Sequence, residues 1–84
     1  RAAHMSVLLV EDSPFYRNLT APFLASAGFI ISTAENGLEA LTQVKNKHFD
    51  LIVTDIEMPH MNGVEFTRAC RALEAYHHVP IIAY

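Results

Sequence analysis

The stretch DLIVTDIEMPHMNGVEF, residues 50–66, decides the fold of this 84-residue chain. Its first five residues, 50–54, form an apolar run that is typical of a strand covered on both faces in a parallel sheet. The run stops at a carboxylate, Asp55, and a loop follows it. Asn62 and Glu65 then have the spacing of a capping box, in which each side chain accepts a hydrogen bond from the other residue's backbone. We therefore predict a buried strand, a loop and a capped helix.

The same unit of strand and helix occurs on both sides of this stretch. Ser13 has the character of an N-cap because a proline follows it at the first helical position, and Asn36 begins a second capping box. Strands and helices that alternate with short connections form right-handed crossovers in a parallel sheet. The predicted strands are 6–10, 29–34, 50–54 and 80–84, and the predicted helices follow Ser13, Asn36 and Asn62. The sequence therefore predicts an α/β fold with a doubly wound parallel sheet.

Each predicted helix has an apolar stripe that we expect to face the sheet. The first helix is expected to end at Gly28, and Pro22 is expected to bend or destabilise it because proline removes one backbone hydrogen bond. The predicted stripes are Phe15, Leu19 and Phe23 on the first helix, Leu38, Leu41 and Val44 on the second, and Phe66, Cys70 and Leu73 on the third.

The composition argues against several classes of protein. The length suits one domain, and the 51% of hydrophobic residues can supply a core. A net charge of −3, with six scattered Lys and Arg, argues against direct binding of nucleic acid. The single cysteine cannot form an internal disulfide, and no apolar run has the length of a bilayer span, so we expect a cytoplasmic protein without membrane insertion. Residues 1–4 are interpreted as a remnant outside the fold, which leaves 5–84 as the domain.

Carboxylates stand where two of the predicted strands end. Glu11 and Asp12 follow the first strand, and Asp55 follows the third. Ligands of open parallel sheets bind beyond the carboxyl ends of the strands, and neighbouring strands lie about 4.8 Å apart. One such carboxylate alone is more often a solvated strand end. If the strands are neighbours, as in the order 2-1-3-4, three carboxylates converge and repel one another, and Mg²⁺ or Mn²⁺ would neutralise them.

Three motifs give the chain a specific resemblance to a known family. They are VLLVEDS at 7–13, ENGLEAL at 35–41 and the stretch at 50–66, which contains the pattern D-x-x-M-P-x-M-x-G. Through them the chain, from Met5 to Tyr84, resembles the receiver domains of response regulators. The resemblance implies a CheY-like, flavodoxin-like fold with the strand order 2-1-3-4. The residues of the pattern are Asp55, Met58, Pro59, Met61 and Gly63.

The resemblance also implies a chemical role for the acidic residues. A carboxylate beside Mg²⁺ can act as a nucleophile toward phosphorus. By resemblance, Asp55 accepts a phosphoryl group from a phosphohistidine on a histidine kinase or a phosphotransfer domain. Glu11, Asp12 and Asp55 would hold Mg²⁺ together with the backbone carbonyl of Glu57. Met58, Pro59 and Gly63 would shape the loop that presents this carbonyl. Such a domain takes part in its own phosphoryl transfer and is not expected to be a multiple-turnover enzyme.

The family pattern continues beyond the last residue of this sequence. The resemblance implies a Ser or Thr directly after the fourth strand and a Lys after a fifth strand, whereas the sequence ends at Tyr84. We therefore expect a partial receiver domain without the fifth strand and the last helices. An unprotected fourth strand invites pairing between chains or exchange of elements, so a homodimer is expected. Tyr84 itself is expected to pack in the core, with an approach to the site as the alternative.

Three other functions remain open at this point. The first is a pseudo-receiver that binds partners through an inert acidic site. The second is the receiver of a chemotaxis-type hybrid histidine kinase, which SPFYRNL at 13–19 and DIEMPHMNG at 55–63 resemble. The third is a phosphatase of the haloacid dehalogenase type, which needs a second Asp two residues after the first, whereas position 57 is Glu.

Overall fold

The structure is a computed structural model that describes residues 4–84. Strands and helices alternate along the chain in the predicted order, and a short 3₁₀ helix that was not predicted precedes the last strand. The elements are β1 (Ser6–Val10), α1 (Pro14–Ser26), β2 (Ile30–Ala34), α2 (Gly37–Asn46), β3 (Leu51–Thr54), α3 (Gly63–Arg71), the 3₁₀ helix (Glu74–Tyr76) and β4 (Ile81–Ala83).

The four strands form one parallel sheet in the order β2-β1-β3-β4, which confirms the predicted fold class and strand order. β1 lies in the middle, and its residues Val7, Leu8, Leu9 and Val10 are fully buried. Its apolar run is therefore explained by cover on both faces. The register places β1 and β3 side by side, so that their carboxyl ends meet at the same edge of the sheet.

The main core lies between the sheet and the helices α2 and α3. On this face of the sheet, the strands contribute side chains such as Leu8 and Ile52, and α3 contributes Phe66 and Cys70. Tyr76, from the 3₁₀ helix, is also buried there, and its hydroxyl bridges two backbone groups of the loop before β3. Burial raises the pKa of the Cys70 thiol to about 11, as expected for a packing residue.

Side-chain caps begin all three α-helices at the predicted residues. Ser13 accepts a hydrogen bond from the amide of Tyr16, and Asn36 accepts one from the amide of Glu39. Asn62 and Glu65 form a complete capping box. The second box differs slightly from the prediction, because the Glu39 carboxylate accepts from the amide of Glu35, one residue before the cap. The sequence signals for where the helices begin were therefore reliable.

The predicted apolar face of α1 is wrong. Phe15, Leu19 and Phe23 point away from the sheet and are 69%, 61% and 72% exposed. The half-buried residues of α1 are Arg17, Thr20, Ala21 and Leu24, which recur with helical spacing on the opposite side. That side carries small and mixed side chains, whereas the large apolar side chains remain outside. Leu38, predicted to be buried on α2, is likewise half exposed, and Gly37 and Ala40 are buried instead.

Pro22 lies inside α1, and the helix runs through it to Ser26. Gly28 follows the helix with a φ of 104°, a conformation that glycine adopts at little cost, so the predicted end is confirmed. Within residues 4–84, no helix combines the length and the apolar character that a membrane span requires.

Candidate functional site

The three carboxylates predicted to converge lie together at the carboxyl edge of the sheet. Glu11, Asp12 and Asp55 each offer one oxygen, and these oxygens lie within 4.8 Å of one another. Glu11 is buried, Asp55 is half-buried and Asp12 is exposed. The arrangement follows from the neighbouring positions of β1 and β3 in the sheet. Three oxygen ligands of this kind match the preference of Mg²⁺ and fit a divalent cation.

Glu11 is held at both of its carboxylate oxygens. One oxygen accepts a hydrogen bond from the amide of Ser13 at 3.1 Å, and the other accepts one from the hydroxyl of Tyr84. The backbone carbonyl of Glu11 accepts a hydrogen bond of 2.9 Å from the guanidinium of Arg17, which ties α1 to the end of β1. Glu11 is only 3% exposed, so these partners replace the water that a buried carboxylate has lost.

Asp55 continues β3 by one residue. Its amide donates to the carbonyl of Val10 at 2.9 Å, and its side chain accepts from the amide of Glu57 at 3.3 Å. Burial and the neighbouring charge of Glu11 raise the pKa of Asp55 above its ordinary value, although the Glu57 amide acts in the opposite direction. The Asp55 carboxylate therefore carries a charge in a place where charge is unfavourable unless a cation is bound.

Gly63 is required because α3 begins in direct contact with the backbone that follows β3. A Cβ atom at Gly63 would collide with the carbonyl oxygen of Asp55 and would lie 2.9 Å from the Cα of Ile56. The Gly63 amide donates to the Ile56 carbonyl at 2.8 Å. The position of Asp55 is thus fixed from both sides, by β1 and by the first residue of α3.

The loop between β3 and α3 is anchored by its methionines. Met58 and Met61 are partly buried against the main core, whereas Pro59 is exposed and its carbonyl accepts a hydrogen bond from the amide of Met61. His60 has a φ of 71°, in the left-handed region that non-glycine residues rarely adopt. Met58, Pro59 and Gly63 all lie in or directly after this loop. Their role in shaping it, and the role of the Glu57 carbonyl as a cation ligand, stay predictions.

A pocket of about 590 Å³ opens beside the carboxylates, on the face of the sheet that α1 covers. Tyr16 and Thr20 of α1 form one wall, Val53 contributes to the floor and Tyr84 forms another wall. Asp55 lines this pocket and is therefore reachable from outside the protein.

Sequence reasoning missed two contacts of the site. It gave no role to Arg17, whose cationic side chain one turn into α1 is close enough to bind the end of β1. It treated Tyr84 first as a core residue and an approach to the site as the alternative, and it did not predict the contact between the Tyr84 hydroxyl and Glu11. The alternation of side chains along β4 is the signal that would have found it, because Tyr84 lies level with Asp55 on the same face.

The fold and the site together define a doubly wound α/β domain with an acidic cluster at the ends of its central strands. The chain belongs to the family of response regulator receiver domains, whose family model matches residues 7–84. Receiver domains are components of two-component signalling systems and occur in sensor kinases and in response regulators. They interact with histidine kinases or phosphotransfer domains, and they bind Mg²⁺ at an acidic site.

Three known proteins illustrate the relationship. The gliding motility regulatory protein of Myxococcus xanthus is 35% identical over 81 residues, which are 96% of this chain and 10% of that protein. The chemotaxis response regulator CheY4 of Vibrio cholerae superposes with a TM-score of 0.94 at 37% identity, over 96% of this chain and 68% of the other. The third is the receiver domain of the sensor histidine kinase PA1611 of Pseudomonas aeruginosa, which was solved with a magnesium ion in its active-site cleft. It has a TM-score of 0.92 at 33% identity, over 96% of this chain and 66% of the other. The chain thus spans a small part of its first curated relative.

Proposed function

We propose that Asp55 is the phosphoacceptor of a two-component phosphorelay and that its phosphorylation by a histidine kinase or a phosphotransfer domain switches signalling. One observation carries the proposal: the Asp55 carboxylate stands at the end of a central strand, beside two further carboxylates and open to a pocket. A carboxylate in this position is reachable by a partner and lies where the three carboxylates would hold the cation that phosphoryl transfer requires.

In the proposed reaction, a carboxylate oxygen of Asp55 attacks the phosphorus of a phosphohistidine. A new bond forms between this oxygen and phosphorus, the bond between phosphorus and the imidazole nitrogen breaks, and the imidazole leaves with the electron pair and takes up a proton. The product on this chain is an acyl phosphate. The Glu57 amide, which donates to one Asp55 oxygen, orients the carboxylate and leaves the other oxygen available for the attack.

The cation in this proposal is Mg²⁺, and Mn²⁺ can replace it. Glu11, Asp12 and Asp55 would hold it together with the backbone carbonyl of Glu57, and it would offset the negative charge of the transferred oxygens. The magnesium ion in the cleft of the related Pseudomonas receiver domain supports this assignment. We place the protein in the cytoplasm, where its kinase partner would phosphorylate it.

The decisive experiment is incubation of the protein with acetyl phosphate and Mg²⁺, followed by mass spectrometry of the intact chain. We expect one phosphoryl adduct, which is absent in Asp55→Asn and in a sample with excess EDTA. Asp50→Asn is the matched control, since Asp50 is an exposed aspartate at the other end of β3, and it is expected to keep the adduct. The absence of an adduct on the unaltered protein would reject phosphoacceptor function.

The other outcomes identify the alternatives. Tight binding of partners without any adduct would favour a pseudo-receiver, an interaction module with an inert acidic site. Repeated release of phosphate from small phosphate esters would favour the phosphatase. The same adduct on a longer chain that also carries a kinase core would identify the receiver of a hybrid chemotaxis histidine kinase.

We also propose that two copies of the chain associate through β4. This strand lies at the edge of the sheet, and Ile82 on it is 54% exposed. An edge strand with an apolar side chain pairs readily with another chain, directly or by exchange of elements. Analytical ultracentrifugation is expected to show dimers that Ile82→Lys converts to monomers, because the change adds a charge at the edge. A monomer at high protein concentration would reject the dimer.

A further inference from the structure

Tyr84 occupies a fixed position next to the phosphoacceptor. Its amide donates to the carbonyl of Thr54 at 3.1 Å, and its carbonyl accepts from the amide of Ile56 at 3.0 Å. β4 pairs with β3 so that Ala83 lies opposite Thr54, which places Tyr84 level with Asp55. Side chains of paired residues in a parallel sheet share a face, so Tyr84 and Asp55 project to the same side.

The side chain of Tyr84 crosses the end of β3 to reach β1. Its hydroxyl donates to one carboxylate oxygen of Glu11, although β1 and β4 are separated by β3 in the sheet. The Tyr84 hydroxyl therefore belongs to the acidic cluster, while the rest of the side chain forms a wall of the pocket. A tyrosine hydroxyl ordinarily loses its proton only well above neutral pH, so the Tyr84 hydroxyl is a donor to Glu11.

The contact completes the orientation of Glu11. The terminal torsion of a glutamate has a broad, roughly twofold energy profile, so packing alone defines it weakly. In this structure the Ser13 amide holds one oxygen and the Tyr84 hydroxyl holds the other. Both donors are neutral, and each carboxylate oxygen retains a lone pair for a cation.

We propose that the Tyr84 hydroxyl is a positioning group that orients the Glu11 carboxylate for the divalent cation. The proposal rests on the cation site of the proposed function and adds a residue that the motifs of the chain do not contain. Hydrogen bonds to metal-ligating carboxylates typically change metal affinity by about 10- to 100-fold when they are removed. Tyr84 acts through Glu11 and does not itself contact the transferred phosphoryl group.

The test is a calorimetric titration of the full chain with Mg²⁺, compared with Tyr84→Phe, which removes only the hydroxyl. We expect the dissociation constant for Mg²⁺ to rise by about tenfold in Tyr84→Phe. Tyr76→Phe is the matched control, because it removes a hydroxyl whose partners are backbone groups before β3, at the opposite end of that strand from Asp55. Its Mg²⁺ affinity is expected to be unchanged. Circular dichroism confirms that each variant is folded, and Tyr84→Leu provides a second variant without the hydroxyl.

A second measurement separates positioning from a general structural effect. The rate of labelling by acetyl phosphate is measured as a function of Mg²⁺ concentration for the unaltered chain and for Tyr84→Phe. We expect the half-saturating Mg²⁺ concentration to increase while the rate at saturating Mg²⁺ is unchanged. A lower rate at saturation would mean that Tyr84 affects Asp55 directly, which contradicts the proposal.

The two proposals fail in different ways. If the unaltered chain binds no Mg²⁺, the proposed cation site is wrong, and the role of Tyr84 is wrong with it. If the unaltered chain binds Mg²⁺ and Tyr84→Phe binds it equally well, the cation site stands and the positioning role is overturned. Tighter binding by Tyr84→Phe would show that the hydroxyl competes with the cation, which also overturns the positioning role.

Discussion

Replacement of Asp55 by Asn is expected to stabilise the protein in the absence of divalent cations. The carboxylate oxygens of Asp55, Glu11 and Asp12 lie within 4.8 Å of one another. Two unit charges at this distance repel by about 0.9 kcal/mol in a water-like medium and by about 3.5 kcal/mol at an effective dielectric constant of about 20. Because Asp12 is exposed and Asp55 is half-buried, the lower value applies better. Removal of two such pairs is therefore expected to raise the free energy of unfolding by roughly 1–2 kcal/mol.

The assay is urea unfolding at neutral pH and low salt with EDTA, followed by circular dichroism. The gain in Asp55→Asn is expected to shrink in high salt, which screens the repulsion. Glu74→Gln, which removes the charge of an exposed residue of the 3₁₀ helix outside the cluster, is the control and is expected to give no gain. If Asp55→Asn is no more stable than the unaltered protein, the carboxylates do not repel one another as described.

The pH dependence of the same experiment has a defined sign. The pKa of Asp55 in the folded protein is raised above its ordinary value of 3.8, chiefly by burial and by Glu11. The folded state therefore binds the proton more tightly than the unfolded state does. The stability that protonation confers is fully present below 3.8 and is lost as the pH rises through the raised pKa. The advantage of Asp55→Asn is thus expected to be absent at low pH and complete at neutral pH.

Three further substitutions test the contacts and the backbone conformation that support the site. Gly63→Ala is expected to lower the yield of the acetyl phosphate adduct and the stability of the protein, because its methyl group would collide with the Asp55 carbonyl; unchanged labelling would contradict this. Tyr76→Phe is expected to cost about 1–3 kcal/mol in urea unfolding, since the buried amide of Phe49 loses its partner; a neutral effect would mean that water replaces the hydroxyl. His60→Gly is expected to raise the free energy of unfolding by about 0.5–1 kcal/mol, because the strain of a positive φ at a non-glycine residue costs more than the extra chain entropy that glycine loses on folding. A loss of stability in His60→Gly would refute the strain at this position.

The parts of the fold that the sequence predicted well are those set by local physics. Asn62 and Glu65 were recognised as a capping box because the hydrogen bonds involved span only three residues. The convergence of Glu11 and Asp55 was predictable because parallel strands that end in carboxylates bring those carboxylates to one edge.

The parts that were missed depend on long-range packing. The face of α1 that contacts the sheet was predicted from large apolar residues such as Leu19, yet the half-buried face carries residues such as Ala21. Which side of an apolar helix is buried depends on the surface it packs against, and a helical pattern does not contain that surface. The hydrogen bond from Tyr84 to Glu11 joins residues 73 positions apart and follows only from the strand register.

The central position of β1 has a consequence for how the site moves. Its amides are covered on both faces and paired on both edges, so they are expected to exchange with deuterium only when the whole domain unfolds. β4 is paired on one edge, and its amides are expected to exchange sooner through local opening. Glu11 follows a central strand and Tyr84 follows an edge strand, so local opening of β4 would break the hydrogen bond from Tyr84 and release one oxygen of the Glu11 carboxylate.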